Sequence, residues 1–308
     1  MEKTKQIILE DQNNFTIYNE IIEKDTTLWK KFNDPTEILK WINNFNEKKE
    51  IYFALIIANN IVYYTLDQIR SLWKFILLKN VKLFLLEKLF LDELPLDIDM
   101  WFHEYLRKKC VFIGYGSASK SGPMMVYYFD QSHGIKKLSY LDIKEFLSLS
   151  NIKNIETVFF LDDFIGSGTQ ACRRWKRRYK IGEKDISFYD VSKKYPQIKF
   201  IYLALVGCTK GKNKIEKNTT MNVILGEKLD DKNKCFSNVS IVFTDQNMRQ
   251  EAKKVMIEKG KKLYKNHPLG YKDGQLLIAF FHNTPNNTLP VIWKRVPDDT
   301  WHPLFERY

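Results

Sequence analysis

From about residue 106 onward, short and almost unbroken apolar runs stop abruptly at Gly or Asp and alternate with longer, polar, periodic segments. The runs are CVFIGYG (110–116), TVFFLDD (157–163), KFIYLALVG (199–207), VSIVFTD (239–245) and LLIAFFH (276–282). A strand covered on both faces needs apolar residues at every position, not at every second one. Parallel neighbours also need long crossovers, which helices supply. The alternation therefore predicts an α/β fold, a mostly parallel sheet flanked by helices, over residues 106–308.

Residues 1–105 have another texture. In DPTEILKWINNF and LDQIRSLWKFILLKNVKLFLLEKLFL, apolar residues recur every three or four positions, the spacing of helices with one buried face. Asp34-Pro35 suits a helix start. The expected division is a helical N-terminal region, 1–105, followed by the α/β domain, 106–308.

Composition narrows the classes. Hydrophobic residues make up 44% of the 308 and charged residues 28%, as in a globular chain rather than a disordered one. The formal net charge of +12 permits a nucleic-acid or phosphate partner without requiring one. Cys110, Cys172, Cys208 and Cys235 show no metal-ligand spacing, which suits a reducing compartment. The start, MEKTKQIILEDQ, is too polar for a secretory leader. IYFALIIANNIVYY is broken by Asn59 and Asn60, short of the roughly 18–20 apolar residues of a membrane span. The expectation is a cytoplasmic protein with no membrane partner.

The most informative stretch is VFFLDDFIGSGTQ, 158–170. A strand runs into two adjacent carboxylates, Asp162 and Asp163, and then into Gly166-Ser167-Gly168-Thr169. In parallel sheets, ligands bind beyond the carboxyl ends of the strands. Small residues there let backbone N–H groups close on an anion, and the helix that follows turns its positive end to the same place. Carboxylates accept hydrogen bonds from sugar hydroxyls. Together these features suit a phosphorylated sugar. A solvated strand end followed by a turn is the plain alternative.

VFFLDDFIGSGTQ resembles the phosphoribosyl-pyrophosphate motif of type I phosphoribosyltransferases. The resemblance implies that Asp162 and Asp163 hold the ribose 2- and 3-hydroxyls, directly or through Mg²⁺. Gly166, Ser167, Gly168, Thr169 and Gln170 would wrap the 5-phosphate. Gln170 stands where the motif has Thr or Ser. A loop after an earlier strand, in FIGYGSASKSGPMMVYYF, would hold the diphosphate through Tyr115, Gly116, Ser117, Lys120 and Ser121. Gly166 occupies the position of the Asp that serves as base in hypoxanthine-type enzymes, so that chemistry is not implied.

With HNTPNNTLPVIW near the C-terminus, the chain looks like the phosphoribosyltransferase-like proteins of bacterial anti-phage conflict systems, some of them retron-associated. That resemblance implies an effector acting at ribose C1, with Asn283 and Thr284 near the ligand. A retron ribonucleoprotein is an implied partner. The five histidines form no metal-ligand pattern.

RRWKRRYK (173–180) is read as a continuation of the helix after the motif, with Trp175 and Tyr179 four apart on one face. Arg173, Arg174, Lys176, Arg177 and Arg178 then form either a nucleic-acid stripe or a solvated face over buried aromatics. Two functions follow: an enzyme on phosphoribosyl pyrophosphate or a related nucleotide, or a catalytically silent nucleotide sensor that binds nucleic acid.

Overall fold

The computed structural model describes residues 1–32, 34–90, 93–115, 122–149, 152–297 and 300–308. Their strands are β1 (Val62–Tyr64), β2 (Cys110–Gly114), β3 (Tyr140–Leu141), β4 (Thr157–Ile165), β5 (Tyr179–Ile181), β6 (Lys184–Ile186), β7 (Lys199–Cys208), β8 (Met221–Leu229) and β9 (Ile278–Phe280). The chain forms two compact units: Asp67–Leu229, and Met1–Leu66 with Asp230–Tyr308. This grouping does not follow the expected division at 105. The helical N-terminal residues are shared between the units, because 1–66 share one apolar core with 235–305.

The unit of residues 67–229 carries a five-stranded parallel sheet in the order β3-β2-β4-β7-β8. The α/β expectation holds here. Apolar residues on both faces of β4 explain its unbroken run. Val158 and Phe160 face a core with Trp175, Phe188, Phe200 and Ile215. Phe159 stacks on Phe112, and Phe112 packs on Phe129 from the helix Gly122–His133. Trp175 is fully buried, stacked on Phe188 and edge-on to Phe200. An aromatic side chain of that size contributes about 4–6 kcal/mol of gross hydrophobic stabilisation.

Two apolar runs depart from expectation, and one strand was not among the expected runs. VSIVFTD is not a strand: Val239 and Ile241 are exposed, while Ser240 turns inward, donating to the Cys235 carbonyl and accepting from the Val242 amide. LLIAFFH forms only the three residues of β9, which pair with β1 in a separate two-stranded parallel sheet. The fifth strand of the main sheet is MNVILGEKL, whose Glu227 and Lys228 disguise it. It borders β7 alone, so one edge is unpaired and tolerates charge.

The other unit gathers the helices Gln12–Lys24, Lys48–Asn59 and Gln246–Leu263 around a core that includes Trp41, Phe53, Met256 and Leu289. The expected start at Asp34-Pro35 is present: Asp34 accepts from the Thr36 amide at 2.8 Å and the helix runs Thr36–Ile42. Among the described residues no helix is long and apolar enough to cross a membrane.

Candidate functional site

The site grows out of strand order. β2 leads to β3 on one side and β4 leads to β7 on the other, so the winding reverses between β2 and β4. The helix after β2 lies with Phe112 and Phe129 on one face. The helix after β4, Thr169–Lys176, buries Ala171 and Trp175 on the other. Diverging crossovers leave a crevice at the carboxyl ends of these two strands. β2 ends at Gly114, paired with Leu161, and the Tyr115 amide still donates to the Leu161 carbonyl at 2.8 Å. Asp162 is therefore the first β4 residue beyond β2, at the mouth of the crevice.

The two carboxylates are not equivalent. Alternation along β4 puts Asp162 on the side of Phe160 and Tyr202. Asp162 is buried; one oxygen accepts from the Tyr202 hydroxyl at 2.6 Å and the other from the Asp163 amide at 3.0 Å. Burial, then the neighbouring Asp163 charge, pushes its carboxyl well above the usual range, against the Tyr202 hydrogen bond and Arg174. Asp163 is only half-buried. Of the pair, Asp163 is the more exposed, and Asp162 braces the strand end.

The small-residue loop is shaped by backbone contact. Gly168 has φ +69 and, having no side chain, provides no side-chain cap for the helix that follows. A Cβ on Gly168 would lie 2.5 Å from the Gly211 carbonyl oxygen, and one on Gly211 would lie 2.1 Å from that of Gly166. The loop and the helix Thr209–Asn218 thus interlock through three glycines. Ser167 donates to the Thr169 hydroxyl at 3.1 Å, and the Lys214 ammonium donates to that oxygen at 2.8 Å. Gln170 is exposed.

Lys214 is a residue the motif did not reveal. Among the described residues no carboxylate pairs with it. The signal was available in outline: the helix after β7 must begin at the same end of the sheet as the helix after β4, and TKGKNK places cations in its first two turns.

Tyr115 is not a loop residue facing solvent. Its ring packs 4.3 Å from Phe160 and 5.2 Å from Tyr202, its hydroxyl donates to the Ala171 carbonyl, and the Arg174 guanidinium lies over it at 5.3 Å. Its amide is spent on β4. Tyr115 therefore forms the floor of the crevice. Gly116, Ser117, Lys120 and Ser121 lie outside the described residues. On either side of them, a Cβ on Gly114 would come within 2.5 Å of the Gly122 carbonyl oxygen, so the chain returns to the point it left.

The basic run is not one helix. The helix ends at Lys176, Arg177 is extended, and Tyr179 belongs to β5, paired with β6. Arg173, Lys176, Arg177 and Arg178 are exposed and Arg174 is half-buried. Arg178 reaches Asp190 at 3.4 Å.

Asn283 and Thr284 belong to the other unit. The Thr284 hydroxyl is buried and donates to the Phe305 carbonyl at 3.0 Å, and the Asn283 side chain accepts from the amides of Thr284 and Tyr308. These bonds hold a turn and the C-terminal segment.

Among the described residues no group of three His, Cys, Asp or Glu side chains could hold a metal ion. One half-buried carboxylate, Asp163, fits Mg²⁺ in another way. Mg²⁺ keeps most of its waters and binds through one or two carboxylates together with substrate phosphates.

Residues 38–307 match the family model PRTase-CE. No curated protein matches the chain. The matched span covers the crevice, its two carboxylates and its glycine loop, and the chain belongs to the PRTase-CE family, of phosphoribosyltransferase type.

Proposed function

We propose that the crevice between β2 and β4 binds phosphoribosyl pyrophosphate, or a nucleotide with the same ribosyl 5-phosphate, and supports transfer or cleavage at ribose C1. The observation that carries this reading is the juxtaposition at one strand end of half-buried Asp163, the uncapped helix start behind Gly168, and Lys214. The first-turn amides and Lys214 suit a phosphate monoester. Asp163 suits the ribose hydroxyls. It is also the carboxylate that would hold Mg²⁺, whose contribution is to neutralise the diphosphate.

In the reaction the C1–O bond breaks, its electron pair leaves with the diphosphate, and a nucleophile bonds to C1. The protein's part is to fix the sugar and stabilise charge. Its resemblance to conflict-system proteins extends the reading to an effector in anti-phage defence.

The rival is a silent sensor that binds the same ligand without turnover. One feature favours it: Asp162 is committed to Tyr202 and held toward its neutral form, leaving one carboxylate for the sugar. Calorimetry with phosphoribosyl pyrophosphate and Mg²⁺ tests both. Saturable binding by the wild type, lost at least 100-fold in Asp163→Asn with the fold intact, is expected. Equal binding by the variant sinks the assignment. Diphosphate release by the bound wild type separates enzyme from sensor.

A further inference from the structure

The helices Thr169–Lys176, Phe188–Lys194 and Thr209–Asn218 lie on one face of the main sheet, anchored by Trp175, Phe188, Val191 and Ile215. Arg178, just past the end of the first helix, pairs with Asp190 of the second, and the Cys172 thiol donates to the Lys214 carbonyl of the third. Their charge is unusual in its distribution. Residues 169–180 hold six Arg or Lys and no acid, 188–194 have one excess cation, and 209–218 have three. These three stretches account for ten of the formal +12. The rest of the unit 67–229 is net neutral, and the other unit carries only +2. A composition bias toward lysine would spread over the chain. This charge is confined to one layer.

The cations are available. Arg173, Lys176, Arg177, Lys180, Lys193 and Lys194 are exposed and have no acid partner among the described residues. They are interleaved with aromatic rings: Arg177 lies over Tyr179 at 5.4 Å, Lys193 over Tyr189 at 5.6 Å, and Lys194 over Tyr195 at 5.2 Å. Tyr189 is 44% exposed. The hairpin β5–β6 adds Lys184 against Glu183 and Asp185.

We infer that this helix layer is a docking surface for single-stranded nucleic acid, a role separate from the ribosyl-phosphate crevice. Unpaired lysines and arginines neutralise successive phosphates, and the tyrosine faces beside them stack on unpaired bases. A base-paired strand hides those base faces. An anionic membrane would use the same charge, but Tyr189 is the one large apolar side chain that these helices expose, leaving little to insert into lipid.

The test is fluorescence anisotropy with labelled 20-nucleotide oligothymidylate and oligouridylate, a duplex of equal length, and vesicles of phosphatidylserine and phosphatidylcholine, over a salt series. Lys176→Glu/Arg177→Glu/Lys193→Glu is compared with Lys254→Glu/Lys261→Glu/Lys265→Glu, which makes the same charge change on exposed positions of the other unit. Folding of each is checked by circular dichroism.

The expected result is wild-type binding to single strands that the first variant loses at least tenfold. Its log–log salt slope should be shallower by roughly 2, from three lost contacts at about 0.7 each. Four results overturn the inference: no binding at low salt, equal loss in the two variants, equal affinity for the duplex, or binding to vesicles alone. Phosphoribosyl pyrophosphate binding is read on the same variants. Its persistence when oligonucleotide binding fails distinguishes the two sites.

Discussion

Two strand ends in this molecule share one grammar and use it differently. β4 ends in DDFI and runs into GSGT, and β9 runs through FH into NTPNNT. Both follow apolar strands, and both are dense in small and polar residues. In the second, the polar groups are consumed by the fold: Thr284 donates to Phe305, Thr288 to the Ile278 carbonyl at 2.7 Å, and Asn287 to the Tyr271 carbonyl at 2.9 Å. In the first, the glycines remove the side chains that would have capped the helix, and a lysine arrives with no carboxylate to meet it. Two polar strand ends of similar composition thus differ in what their polar groups hold, and composition does not report that.

The hardest break is Gly211→Ala. Its methyl would collide with the Gly166 carbonyl oxygen, a backbone atom that cannot rotate away. We expect a loss of about 2–4 kcal/mol in urea unfolding, together with weakened phosphate binding. A stability change under about 0.5 kcal/mol would show that loop and helix are not interlocked. Next is Lys214→Ala, which removes a cation from the loop while burying nothing new. Affinity for a ribosyl 5-phosphate should fall about tenfold or more at nearly unchanged stability, as for a hydrogen bond to a charged group; unchanged affinity by calorimetry removes Lys214 from the site.

On the other side of the comparison, Thr288→Val leaves the Ile278 carbonyl without its hydroxyl partner. Unfolding free energy should drop by about 1–3 kcal/mol, with ligand affinity untouched. A selective loss of affinity would mean that this turn also serves the ligand.

The gentlest test concerns Asp162. Its folded-state pKa is raised by burial and by Asp163, so the native state holds a proton that the unfolded chain releases. That contribution is complete below the unfolded value near 4 and is lost as pH rises toward the folded value. Asp162→Asn should flatten the fall in stability with rising pH above about 4, measured by urea titrations between pH 4 and 8. An unaltered slope would mean that Asp162 titrates as an ordinary exposed carboxylate.

Much of this was legible in the sequence. β2, β4 and β7 are buried on both faces, so their apolar runs announced them and placed Asp162–Thr169 at a sheet end. β8 escaped because it is an edge, where Glu227 and Lys228 carry no penalty. VSIVFTD misled because a run of apolar letters does not reveal that Ser240, not Val239 or Ile241, points inward. Tyr115 looked like part of a loop, but a ring facing Phe160 and Tyr202 is a property of tertiary packing. The unequal fates of Asp162 and Asp163 depended on Tyr202, forty residues away. No local pattern carries such a pairing.

The contact of Gly166 and Gly168 with Gly211 has a consequence for how such a protein can change. Gly168 and Gly211 tolerate no larger residue without backbone movement, so the loop cannot be retuned by small steps at these two positions. Change is left to its borders, to Gln170 at the exposed edge and Lys214 on the neighbouring helix. On the proposed reading, a lineage that trades one phosphorylated sugar for another would keep Gly168 and Gly211 and record the change at those borders.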